Sequence, residues 1–146
     1  MAVHFFTEDI AFKIKSALRT KQWIKEVVQQ EGKKLKEVNY IFCSDEHLLG
    51  INQEYLQHDT YTDIITFDNS ETDKEIEGDI YISIDRVKEN ANTLNIPFEE
   101  ELRRVLIHGI LHLIGYGDKS AADKKQMREM ENQSLARFDV PRETLK

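Results

Sequence analysis

The sequence predicts a single α+β domain over residues 1–146, a small mixed sheet of about four strands packed with about five helices. Three observations carry that expectation. Stretches of period-two alternation interleave with stretches of helical spacing, in the order strand–helix–strand–helix–strand–strand–helix–helix–helix. A chain of 146 residues, 40% of them hydrophobic, suits one sizeable core. One segment, residues 105–114, is apolar on nearly every side and belongs at the centre of that core.

Each element has its own signal. Val3 and Phe5 alternate with their neighbours as a short strand does. Ile10, Phe12 and Ile14 alternate too, over a stretch too short to assign. Thr20 is a candidate N-cap for a helix with a stripe of Trp23, Ile24, Val27 and Val28, which Gly32 closes. Lys33, Lys34 and Lys36 read as an exposed basic link. Glu37–Cys43 carries few polar residues, which marks a central strand. Ser44 or Asp45 caps a helix to about Leu56, with Leu48, Ile51 or Asn52, and Tyr55 on one face.

A polar turn at 57–62 leads to the β-branched strand Asp63–Asp68. Asn69–Glu77 reads as an acidic loop. Gly78–Ile84 sets Ile80, Ile82 and Ile84 on one face of a strand. Asp85 is the expected cap of a helix with Val87, Ala91 and Leu94 in register. After Asn95 and Pro97, Glu99, Glu100 and Glu101 put negative charge at the start of the apolar helix, where the helix dipole favours it. Ser120 and Asp123 form a capping pair for a last helix carrying Met127, Met130, Leu135 and Phe138, which ends before Pro141.

Composition bounds the function. No basic segment followed by an apolar run opens the chain, and no apolar stretch approaches a membrane span. The expectation is therefore a cytoplasmic protein with no membrane partner. Cys43 is the only cysteine, which excludes an internal disulfide and suits a reducing compartment. The net charge of −7 speaks against DNA as a partner. The charge is unevenly spread, however. Residues 11–36 hold eight Lys or Arg against two Glu, while residues 45–101 hold three basic and sixteen acidic residues. Such runs are most often solvated faces, but a basic flank can meet a phosphate backbone.

The chemistry concentrates in V-L-I-H-G-I-L-H-L-I-G-Y-G-D, residues 105–118. His108 and His112, four apart, share one helical face. Gly115 ends the helix and Asp118 follows in the loop. Two imidazoles buried on so apolar a helix need partners, either backbone carbonyls or a metal. Two histidines and a carboxylate can hold zinc with a coordination position left open. Gly109 stands where zinc proteases carry a glutamate base, so an ordinary zinc protease is not indicated.

H-G-I-L-H-L-I-G-Y-G-D at 108–118 resembles the signature H-G-x-L-H-L-x-G-Y-D-H of the YbeY family, bacterial endoribonucleases of ribosomal RNA maturation. Asn52-Gln53-Glu54-Tyr55 followed by Thr62-Asp63-Ile64-Ile65-Thr66-Phe67 is similar to the family's N-x-x-Y … T-[DN]-V-L-S-F segment. Gly78-Asp79-Ile80 matches its G-D-I strand, and Met127 and Glu131 fall where the final helix carries M…E. The resemblance runs from about residue 38 to 135. It implies a zinc-binding α+β domain with one Zn2+ on His108, His112 and Asp118. It further implies hydrolysis of RNA phosphodiesters in 16S rRNA 3′-end processing, with ribosomal RNA and the small subunit as partners.

Two positions depart from the pattern. Asp118 replaces the family's third histidine, so a carboxylate cancels half of a divalent ion's charge, and iron or manganese also fits the donor set. Leu56 stands where the family has Arg and cannot make a charge-assisted bond to phosphate. No general base is evident. Asp79 and Asp63 are candidates for base or for ligand-orienting carboxylate. Two further functions stay open: a non-catalytic ribosome-assembly factor with a structural metal, and a metallohydrolase of another substrate.

Overall fold

The computed structural model describes residues 2–138. Its elements follow the predicted order: β1 (Val3–Thr7), α1 (Ala17–Gln30), β2 (Lys34–Cys43), α2 (Asp45–Leu56), β3 (Ile64–Asp68), β4 (Glu75–Ser83), α3 (Ile84–Leu94), α4 (Phe98–Ile114) and α5 (Ala121–Phe138). The strands form one mixed sheet in the order β1-β2-β4-β3. β2 pairs in parallel with β1 and β4, and β3 pairs antiparallel with β4, Ile64 opposite Ile82. The apolar Glu37–Cys43 segment thus sits in an interior strand, as its composition requires.

Strand alternation divides the residues between two faces. Val38, Tyr40 and Phe42 of β2 and Ile80 and Ile82 of β4 join one large core with Trp23, Ile24 and Val28 of α1, Val87 of α3, and Leu106, Ile107, Ile110 and Leu111 of α4. On the other face Cys43 and Ile65 pack with Leu48 of α2, flanked by Phe67 and Tyr81. Gly109 lets α4 lie close on the sheet. A Cβ there would stand 2.9 Å from Ile80 Cδ1 and 3.1 Å from Ile64 Cδ1. This close approach carries the adjacent His108 to the β3 edge. No helix among the described residues is long and apolar enough to cross a membrane.

Several boundaries differ from expectation. α1 begins at Ala17 behind Ser16, and Thr20 lies one turn inside it, buried, with its hydroxyl donating to the Ser16 carbonyl at 2.9 Å. The hydroxyl satisfies a backbone acceptor one turn back instead of capping. α3 is capped by Ser83, whose hydroxyl accepts from Arg86 N, while Asp85 accepts from Asp45 N and ties α3 to α2. β2 starts at Lys34 and β4 at Glu75, because Lys34 and Glu75 find each other as ladder partners. Ile10, Phe12 and Ile14 form no strand and fold their side chains onto the core edge. Pro141 lies outside the described residues.

Candidate metal centre

α4 ends at Gly115, whose φ of +127° suits a residue without a Cβ. The chain then doubles back through Tyr116, whose hydroxyl donates to Glu31 Oε1 at 2.5 Å and pins the loop to the end of α1. Two residues on, Asp118 returns beneath the histidines. Its Oδ2 stands 3.7 Å from His108 Nε2 and 3.7 Å from His112 Nε2. One ligand atom from each residue lies within 4.8 Å of the other two.

This donor set fits a metal ion. Donors around a tetrahedral zinc with bonds of about 2.1 Å stand roughly 3.4 Å apart, so the 3.7 Å pairs need only a small contraction. The chemistry, two imidazole nitrogens and one carboxylate oxygen, suits zinc and also iron or manganese.

Behind the cluster lies an arrangement that sequence reasoning did not assign. Glu131 of α5 is buried, and its Oε2 lies 2.7 Å from His108 Nδ1. Arg104 donates to Glu131 Oε1 at 2.9 Å. Burial alone would raise the Glu131 carboxyl, but the hydrogen bonds from His108 and Arg104 outweigh it and hold the group below its ordinary range. An ionised carboxylate only accepts, so the shared proton resides on His108 Nδ1; in the neutral ring Nε2 then carries the lone pair and faces Asp118. Burial disfavours the imidazolium of His108. The Glu131 hydrogen bond and the carboxylates of Glu131, Asp63 and Asp118 more than offset that, so its pKa is raised. The available signal was Glu131 at helical spacing from Met127; what it touches depends on how α5 crosses α4.

The cluster opens into a cleft of about 650 Å³ walled by Asn52, Leu56, His58, Tyr61, Asp63 and Thr66 among others. The two candidate aspartates separate here. Asp63 stands in this wall, where burial raises its carboxyl and the Asn90 amide donates to Oδ2 at 3.4 Å. Asp79 lies on the opposite face of the sheet, taking hydrogen bonds from Asn39 and Asn69. The structure brings Asp63, His108, His112 and Asp118 together and leaves Asp79 apart. Glu101, expected only as a helix-dipole charge, is buried and lines, with Asp63, Arg104, Arg128 and Glu131, a smaller cavity of about 190 Å³ beside His108.

Comparison with known proteins bears on this site. The family model described as endoribonuclease YbeY matches residues 5–139. A curated relative from Flavobacterium psychrophilum, named endoribonuclease YbeY, is 53% identical over 135 residues, covering 92% of this chain and 96% of its own length. Another of the same name, from Cytophaga hutchinsonii, is 49% identical over 134 residues, covering 92% and 94%. The solution structure of TM1509 from Thermotoga maritima superposes with a TM-score of 0.66 at 31% identity, over 93% of this chain and 88% of that one.

Proposed function

The chain belongs to the YbeY endoribonuclease family, and from that premise we propose that it is a metal-dependent hydrolase of RNA phosphodiester bonds. Its substrate in this reading is ribosomal RNA at the 3′ end of 16S rRNA, with the maturing small subunit in the cytoplasm as its setting. The observation that carries the reading is the convergence of His108, His112 and Asp118 at the foot of a cleft large enough for a nucleotide.

The residues divide the work. His108, His112 and Asp118 hold the ion, zinc first among the candidates. A divalent cation there supplies Lewis acidity toward phosphate. Glu131 keeps the His108 proton on Nδ1, which leaves Nε2 free to ligate and fixes the ring. Arg104 keeps Glu131 charged and in place. Asp63, held by Asn90 in the cleft wall, is the proton acceptor for an attacking water; its burial makes the carboxylate a better base than an exposed one.

One observation favours a second reading, an assembly factor that binds RNA around a structural metal. Leu56 takes the place of the family's arginine, and no Lys or Arg among the described residues lines the cleft. Elemental analysis beside an RNA cleavage assay separates the readings. Purified protein carries stoichiometric metal and cleaves RNA; His112→Ala and Asp118→Ala lose both. Metal retained in full by either variant would overturn the ligand set. Metal and RNA binding without cleavage would select the assembly factor.

A further inference from the structure

If the chain acts on RNA, the side-chain cations that neutralise the polyanion beyond the metal's reach must lie outside the cleft. Among the described residues the cleft wall offers two carboxylates and no Lys or Arg, and the chain as a whole carries a net charge of −7. Across the molecule a groove of about 490 Å³ runs between α1 and the β1 edge of the sheet. Lys21, Lys25, Lys33 and Lys34 line it beside Gln29, and no Asp or Glu among the described residues does.

Lys21 and Lys25, four apart, share one face of α1. Neither meets a carboxylate within ion-pair distance among the described residues. The Lys21 amine rests over the Phe5 ring at 5.4 Å. Lys34 has only a 4.0 Å contact with the half-exposed Glu75, a pair of little strength. Lys33 is engaged with the Asp73 carbonyl. The groove therefore keeps at least three unneutralised ammonium groups in one concavity.

We infer that this lysine groove is an RNA-backbone exosite, holding phosphates of a strand whose scissile bond lies in the cleft. The proposal rests on the endoribonuclease reading and adds to it where the substrate gains its affinity. Groove and cleft occupy diagonal corners of the sheet. The groove lies at the N-terminal ends of β1 and β2, the cleft beside β3 at the C-terminal end of β4. Three strand spacings separate them by about 14 Å across the sheet, with roughly 20 Å more along the strands. A substrate of two or three nucleotides fills the cleft alone, whereas about ten helical nucleotides reach both. Lysines are point charges and read backbone rather than base, so the exosite is blind to sequence.

The test compares wild type, the triple variant Lys21→Gln/Lys25→Gln/Lys34→Gln, and a charge-matched control remote from the groove, Lys13→Gln/Lys88→Gln/Lys125→Gln. Binding of a structured RNA fragment about thirty nucleotides long is measured against salt, and cleavage of a trinucleotide is measured alongside. The groove variant should lose affinity about tenfold or more at low salt, with the slope of log K against log salt shallower by about two. The control should lose much less, and all three should cleave the trinucleotide alike. Equal loss in groove variant and control, or no loss in either, would overturn the exosite and leave the nuclease reading standing. RNA binding through the groove without any cleavage would sink the nuclease reading and leave the groove standing. Wild type that binds phosphatidylserine vesicles but no RNA would overturn the exosite.

Discussion

Glu131 lies more than twenty residues from the histidine it orients, and its contribution can be measured apart from the metal ligands. Glu131→Gln should leave the fold intact and lower metal affinity about 10- to 100-fold, measured by competition with a chromophoric chelator. Unchanged affinity would remove Glu131 from the site. A proton on His108 Nε2 excludes a metal, and the surrounding carboxylates raise the pKa at which that proton binds. Metal affinity should therefore be greatest at neutral to alkaline pH and begin to weaken as pH falls below that raised value, from a higher pH than at an ordinary histidine site. Titrating metal content between pH 8 and pH 5 checks this. Cys43 offers a contrasting case: burial first, then the nearby carboxylates, push its thiol up to about 12. It should resist thiol reagents in the native state and react only when the protein unfolds.

At the scale of elements, two glycines make opposite predictions. A Cβ at Gly78 would lie 2.6 Å from the Phe67 carbonyl oxygen, backbone that cannot yield without breaking the β3–β4 ladder. Gly78→Ala should cost about 1–3 kcal/mol. Gly50 lies inside α2 with nothing within 4 Å of a Cβ, so Gly50→Ala should gain about 0.5–1 kcal/mol from helix propensity and reduced chain entropy. Thermal melts of the two variants should move in opposite directions. The elements themselves were legible because period and composition are local properties. Their ends were less so. Thr20 and Asp85 both have the chemistry of caps, yet Ser16 and Ser83 take those places, because a partner elsewhere decides which residue of a turn leaves the helix. Similarly Lys34 reads as a basic link until β4 supplies the ladder that makes it a strand.

For the whole molecule, the question is whether the metal holds the fold or only serves the site. The main core joins the sheet to α1, α3, α4 and α5 without involving His112 or Asp118. Chelation should therefore lower Tm without unfolding the protein. Metal at a hundred times its dissociation constant adds about 2.7 kcal/mol, worth roughly 5–10 °C for a domain of this size. Calorimetry with and without EDTA tests this, and a chelated protein lacking a cooperative transition would make the metal structural. The charge distribution also acts at this scale. The basic segment 11–36 meets the acidic stretch 45–101 in several ion pairs, Lys15 with Glu99, Lys34 with Glu75 and Lys36 with Glu71 and Glu77, while the lysine groove and the cleft keep opposite corners of the sheet.

The sequence alone determined the order of nine elements, the interior position of β2, and the pairing of His108 with His112 on one helical face. Each of these follows from residues a few positions apart, through hydrophobic period, strand composition and helical spacing. The histidine face is open to the cleft, with His112 exposed, where the apolar pattern suggested two buried imidazoles. Only the tertiary structure decided which carboxylates join them. Asp63 and Asp79 look alike in the chain, and the strand pleat sends Asp79 to the far face while Asp63 lands in the cleft. Glu131 reaches His108, and Glu101 turns inward, because helices α4 and α5 cross where they do. A side chain's neighbours across the core depend on packing angle and register, and those are set by the whole chain closing on one core.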